Sequence, residues 1–198
     1  MLVVGRRTVY HRAAVPSIAS RIGRGAGIGR VLASRDRFAA YRSRRAIVKS
    51  RIVKLGGNGA KVALAHRWYI QRDGVTRDGE PGQLYGAEQD RADGRAFLAR
   101  ADGDRHQFRF IVSAEDGDEY EDLRPLTRRL MAQMEKDLGT TFDWVAVNHY
   151  NTGHPHPHII VRGKDDTGSD LIIAREYIAQ GLRERAAELV SLDLGTPH

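Results

Sequence analysis

A chain of 198 residues, 41% hydrophobic, 29% charged and without cysteine, has room for one domain with a proper core and excludes disulfide or thiolate chemistry. No stretch approaches the ~20 apolar residues of a membrane span, and the N-terminus lacks the continuous apolar region of a secretory signal. A cytoplasmic protein without membrane insertion is therefore expected. The formal net charge of +7 is uneven: residues 1–54 hold 14 lysines and arginines against one acid, Asp36, and the rest of the chain holds 18 bases against 24 acids.

Residues 1–44 read as a basic, Arg-rich arm. Its Gly-rich run RIGRGAGIGR suggests poor order and a capacity to grip phosphates, the alternative being an inert flexible leader. The folded domain is expected to span 45–198. RAIVKSRIVKL mixes β-branched and basic residues and predicts a strand with one solvated or nucleic-acid-facing side. After the turn GGNG, AKVALAHRWYIQRDG spaces Val62, Ala65, Trp68 and Tyr69 as a helix does, and residues 74–95 read as an acidic, Gly-rich loop.

RHQFRFIVSAED alternates Phe108, Phe110 and Val112 with Gln107, Arg109 and Ile111, the pattern of a half-buried strand ending at Ser113. DLRPLTRRLMAQMEKDLGT predicts an amphipathic helix with Leu126, Leu130, Met131, Met134 and Leu138 on one side and Gly139 as its stop. FDWVAVNHY and HIIVRG predict two strands, with regular pairing of the second starting at His158 because Pro155 and Pro157 cannot donate to a ladder. A last helix is expected over about 174–190 through Ile178, Leu182, Ala186 and Leu189. The sum is an α+β fold, a central antiparallel sheet with helices packed on it.

Four of the eight histidines, His149, His154, His156 and His158, lie within ten residues in HYNTGHPHPHIIVRG. His156 and His158 are two apart, so in an extended chain both leave the same face. Asn151, Thr152, Gly153 and Pro155 are turn formers, which lets the chain fold back and set His149 beside the pair. Three neutral imidazoles with open coordination positions suit a divalent metal, zinc, manganese, iron, nickel or copper on ligand chemistry alone. The competing account is a solvent-exposed His/Pro-rich loop, against which stands the direct run into the apolar Ile159, Ile160 and Val161.

The run from His149 to Gly163 resembles the third motif of conjugative relaxases, the strand-nicking transferases of the HUH endonuclease superfamily, and is most similar to the VirD type. HQFRFIVSAEDG resembles that family's second motif and HRWYIQRDG its first. The resemblance covers about residues 46–190 and implies a site- and strand-specific DNA nuclease for plasmid or mobile-element mobilisation. It implies a divalent ion, Mg²⁺ or Mn²⁺, on His149, His156 and His158, with Zn²⁺, Ni²⁺ or Cu²⁺ also able to bind. It maps the nucleophilic tyrosine onto Tyr69, which would form a 5′-phosphotyrosyl intermediate, and it places Ser113 near the DNA backbone. Arg67, Arg72 and Arg162 are assigned to DNA as well, and His154, or His66, to the role of base. Single-stranded DNA at a nick site is the implied partner, with accessory relaxosome proteins.

Three features depart from the family pattern. Asn151 stands where an acid is usual, so the group that orients a histidine is expected to be neutral or to come from elsewhere, with Asp143 or Glu115 as candidates. Pro157 stiffens the middle of the motif. The sequence stops at His198 where such domains commonly continue, as a minimal or truncated relaxase would. Tyr150 is the rival nucleophile, although it alternates with His149 and should point to the opposite sheet face. Two other functions fit the same residues: a non-catalytic DNA-binding module with a vestigial His cluster, and a metallohydrolase that activates water.

Overall fold

A computed structural model describes residues 23–34, 43–56 and 76–195. The expected helix over residues 60–74, with His66, Arg67, Tyr69 and Arg72, lies outside the described residues. Four strands, β1 (Ala46–Lys54), β2 (His106–Ala114), β3 (Trp144–His149) and β4 (His156–Arg162), form one sheet in the order β1-β2-β4-β3, every neighbouring pair antiparallel. Helices α1 (Ala26–Ala33), α2 (Gly94–Arg100), α3 (Arg124–Leu138) and α4 (Leu182–Leu194) complete it, the last preceded by a π-helical turn over Tyr177–Gly181. The architecture is the expected α+β fold.

Strand alternation divides the sheet into two unlike faces. On one face Phe108, Phe110, Val112, Ala146, Ile159 and Val161 pack against Leu130, Met131 and Met134 of α3 and Leu182 and Ala186 of α4. The other face is covered at the β3 edge, where Phe97 of α2 and Leu84 pack on Val145, Val147 and Ile160. Helix α3 starts where Tyr150 accepts a hydrogen bond from the Leu123 N–H (3.1 Å) and stops at Gly139, whose φ of 63° is the left-handed conformation glycine adopts without a Cβ clash.

Three local expectations change. Part of the segment read as a loose arm is structured: α1 buries Leu32 in the main core, and Arg24 bonds through its backbone to Ile172 and Ala174. The glycines there serve packing, since a Cβ on Gly29 would come within 2.8 Å of the Tyr177 nitrogen. Helix α2 arises at the end of the expected loop, where the Asp93 side chain caps the Arg95 and Ala96 N–H groups. Finally, β4 begins at His156, two residues earlier than expected, with Pro157 opposite Asn148. Pairing with β2 begins only at His158, so residue 157 has an open side on which a missing N–H is tolerated.

Candidate metal centre

The histidines meet because β3 and β4 are joined by a short reversal. The register sets His149 directly opposite His156, and His158 opposite Val147, so all three imidazoles project from the face opposite the α3–α4 core. One ligand nitrogen from each lies within 4.8 Å of the other two. His149 is the buried member at 6% exposure, and its ring stacks on His158 with centroids 4.1 Å apart and on His156 at 5.4 Å.

The donor set fits a divalent cation. The Nδ1 of His156 lies 2.8 Å from the His154 carbonyl oxygen, an acceptor, so Nδ1 carries the proton and Nε2 presents its lone pair. That Nε2 sits 3.2 Å from the Nε2 of His158. Two imidazole nitrogens aimed at each other across that distance are held best by a shared proton or a shared cation.

The group that orients His156 is therefore a neutral one, a backbone carbonyl, in place of either candidate carboxylate. Asp143 precedes β3 at the far end of the sheet, about 20 Å along the strand from His149. It is occupied there by Arg100, at 2.6 Å, and by Arg162. Glu115 is exposed beyond the end of β2. Asn151 is exposed in the turn. His154 is exposed too, and its carbonyl also accepts from the Thr152 hydroxyl at 2.9 Å.

Tyr150 turns to the opposite face. Its ring packs beside Leu123, Leu126 and Val190, and its hydroxyl is half-buried at the start of α3. Burial raises its pKa above the ordinary phenol value, which opposes phenolate formation.

Ser113 lies on the same face as the triad, two positions along β2 from Ile111, which pairs with His158. Arg162 lies on this face too, but at the opposite end of β4. Its guanidinium makes two 2.9 Å bonds to Asp104, a carboxylate only 2% exposed, and a longer one to Asp143. These acids fix it in the fold and offset its charge, unlike the arginines of β1 and β2 on the same face.

Arg51, from the strand expected to have a solvated or nucleic-acid-facing side, and Arg109 of β2 occupy the part of the face on which no described helix packs. Arg109 of β2 stands directly opposite Arg51 of β1, with Lys49 two residues away. Their signal was present in the alternation of both strands but was obscured by the abundance of arginine elsewhere.

The family model described as "Relaxase: MobA/VirD2-like, nuclease domain" matches residues 85–189, more than half of the chain and all of β2, β3, β4 and the triad. The chain belongs to this relaxase family. No curated protein matched the sequence in a comparison with such proteins. Among the described residues no helix is long and apolar enough to cross a membrane.

Proposed function

We propose that the protein is a metal-dependent relaxase that nicks single-stranded DNA at a transfer origin and keeps the cut strand as a 5′-phosphotyrosyl adduct during mobilisation of a plasmid or similar element. The observation that carries this proposal is the three-histidine cluster on the sheet of a relaxase nuclease domain. A divalent ion, Mg²⁺ or Mn²⁺, held by His149, His156 and His158 would supply Lewis-acid stabilisation of the charge on the phosphoryl oxygens.

The chain's own groups account for the rest. Tyr69 is the proposed nucleophile: its phenolic oxygen bonds to phosphorus as the bond from phosphorus to the 3′ oxygen breaks. The phenol proton passes to a base, His154 or His66, and the departing 3′ oxygen takes a proton from water to become a hydroxyl. Arg67 and Arg72, close to Tyr69 in sequence, favour the phenolate and bind the strand. Ser113 positions the backbone on the sheet. The phosphotyrosyl bond replaces one phosphodiester with another, so the reaction reverses on the returning 3′-hydroxyl and suits strand transfer. The reaction belongs to the cytoplasm, where plasmid DNA and accessory relaxosome proteins are found.

The test is incubation of the protein with Mn²⁺ or Mg²⁺ and end-labelled single-stranded oligonucleotides carrying candidate transfer-origin sequences. The expected product is a covalent protein–DNA species that survives denaturation and is lost in Tyr69→Phe. Cleaved strands without an adduct would favour a water-activating hydrolase, and binding without cleavage a non-catalytic module. A full adduct yield from Tyr69→Phe would move the nucleophile elsewhere.

A further inference from the structure

Among the described residues no helix packs on the β1–β2 part of the triad's face, and that part contains an electrostatic conflict. Arg51 and Arg109 are direct partners across β1 and β2, on the same face as the histidines. Like charges directly opposite in a sheet repel. Neither makes an ion pair with any described residue, whereas Arg162 on the same face has two carboxylates. Arg109 is half-buried, and that burial, followed by the charge of Arg51, pushes its pKa down to about 10.

Arg109 is nevertheless held in place. Gln107, 3% exposed and on the same face, can turn its amide oxygen to accept from Arg109 Nε at 2.7 Å and Nη2 at 2.8 Å. A neutral acceptor fixes the plane of the guanidinium without cancelling its charge. Arg109 pairs with Ile160 and Ile111 with His158, so Arg109 is two residues from the triad, about 7 Å along the strand. A phosphate beside the histidines and its neighbour in one extended strand can reach both.

We infer that Arg51 and Arg109 form a clamp for one backbone phosphate of single-stranded DNA, adjacent to the scissile position, with Gln107 as the residue that positions Arg109. The inference rests on the proposed nicking function and adds the path of the strand: from the triad across β2 toward β1, away from α2. An anion between the two guanidiniums converts their repulsion into two charge-assisted contacts, and Arg suits the task through its planar set of donors.

The experiment is fluorescence-anisotropy titration of a labelled single-stranded oligonucleotide at several salt concentrations, using wild type, Arg51→Gln, Arg109→Gln and Arg183→Gln. Arg183 lies on α4, across the sheet from the triad, and controls for net charge. Losing one phosphate contact should lower the slope of log K against log salt by about 0.7. Arg51→Gln and Arg109→Gln should each show part of this loss, and the two combined all of it, with several-fold weaker binding at low salt. Arg183→Gln should leave the slope unchanged, and Mn²⁺ binding should be the same in all four proteins.

Arg51 is exposed, so its variant remains informative if Arg109→Gln folds poorly. Slopes in both clamp variants equal to that of Arg183→Gln would overturn the clamp while leaving the nuclease proposal standing. A wild-type protein without salt-dependent binding to single-stranded DNA would overturn both.

Discussion

On the helix-covered face of the sheet, Phe108, Phe110, Ala146, Ile159 and Val161 are almost wholly buried against α3 and α4. On the other face, alternate positions of the same strands carry Lys49, Arg51, Arg109, Ser113, His156 and His158, with His149 at the end of β3. The covered face holds the strands at a fixed register, and that register brings histidines from two strands to one point. Substitutions behind the sheet should therefore change stability and spare metal binding, while those in front should do the reverse.

The largest expected stability effect behind the sheet is at Asp137 on α3. Its carboxylate accepts two 2.9 Å bonds from Arg185 and one of 2.7 Å from Tyr177. Asp137→Asn should cost about 3 kcal/mol in urea unfolding by leaving Arg185 partly unpaired, with Mn²⁺ affinity unchanged. A metal affinity that fell with stability would break the separation of the faces.

The same carboxylate gives a pH dependence. Burial alone would raise its pKa, but hydrogen bonds from Arg185, Tyr177 and Gln133 outweigh burial and hold it below the ordinary range. A depressed folded-state pKa gives stability that is complete above the unfolded value, near 3.9, and is lost as pH falls through the folded value. Urea melts from pH 7 down to pH 3 should show an acid loss in the wild type that is smaller in Asp137→Asn.

Next in size is Gly29→Ala, which should cost about 2 kcal/mol because the added methyl meets the backbone of Tyr177, with no change in metal binding. A neutral result in a thermal melt would mean that α1 shifts freely on the core. Tyr85→Phe should cost about 1 kcal/mol, since the Tyr85 hydroxyl lies 2.7 Å from Asn148 Oδ1 and 3.0 Å from Thr127 Oγ1 in a buried site. The smallest effect belongs to the open face: Arg51→Gln should raise the urea midpoint slightly at low salt by relieving repulsion. The gain should fade by about 0.5 M salt as screening shortens the range of the charges.

The sequence made much of this legible, for identifiable reasons. Period-two alternation in HQFRFIVSA and the apolar stripe of α3 are local signals that tertiary packing reinforces, so β2 and α3 appear close to where they were expected. The histidine spacing worked because a strand sends residues two apart to one face, and turn formers between Tyr150 and His156 let His149 join them. What stayed hidden depended on partners distant in sequence. The glycines of RIGRGAGIGR suggest flexibility in the sequence, whereas in the fold Gly29 lies against the Tyr177 backbone. Asp143 looked available to a histidine until Arg100 and Arg162 were found on it. The group that orients His156 is a main-chain carbonyl, which side-chain identity does not reveal.

The most direct test of the metal centre is calorimetric titration of Mn²⁺ into the wild-type protein and into His149→Ala, His156→Ala and His158→Ala, with thermal melts on the same samples. One site per chain is expected in the wild type, with at least a ~100-fold loss of affinity in each variant, since each removes a ligand rather than an orienting partner. His156→Ala and His158→Ala should keep near wild-type melting. Undiminished Mn²⁺ binding in those two folded variants would contradict the assignment of the open face as the metal centre.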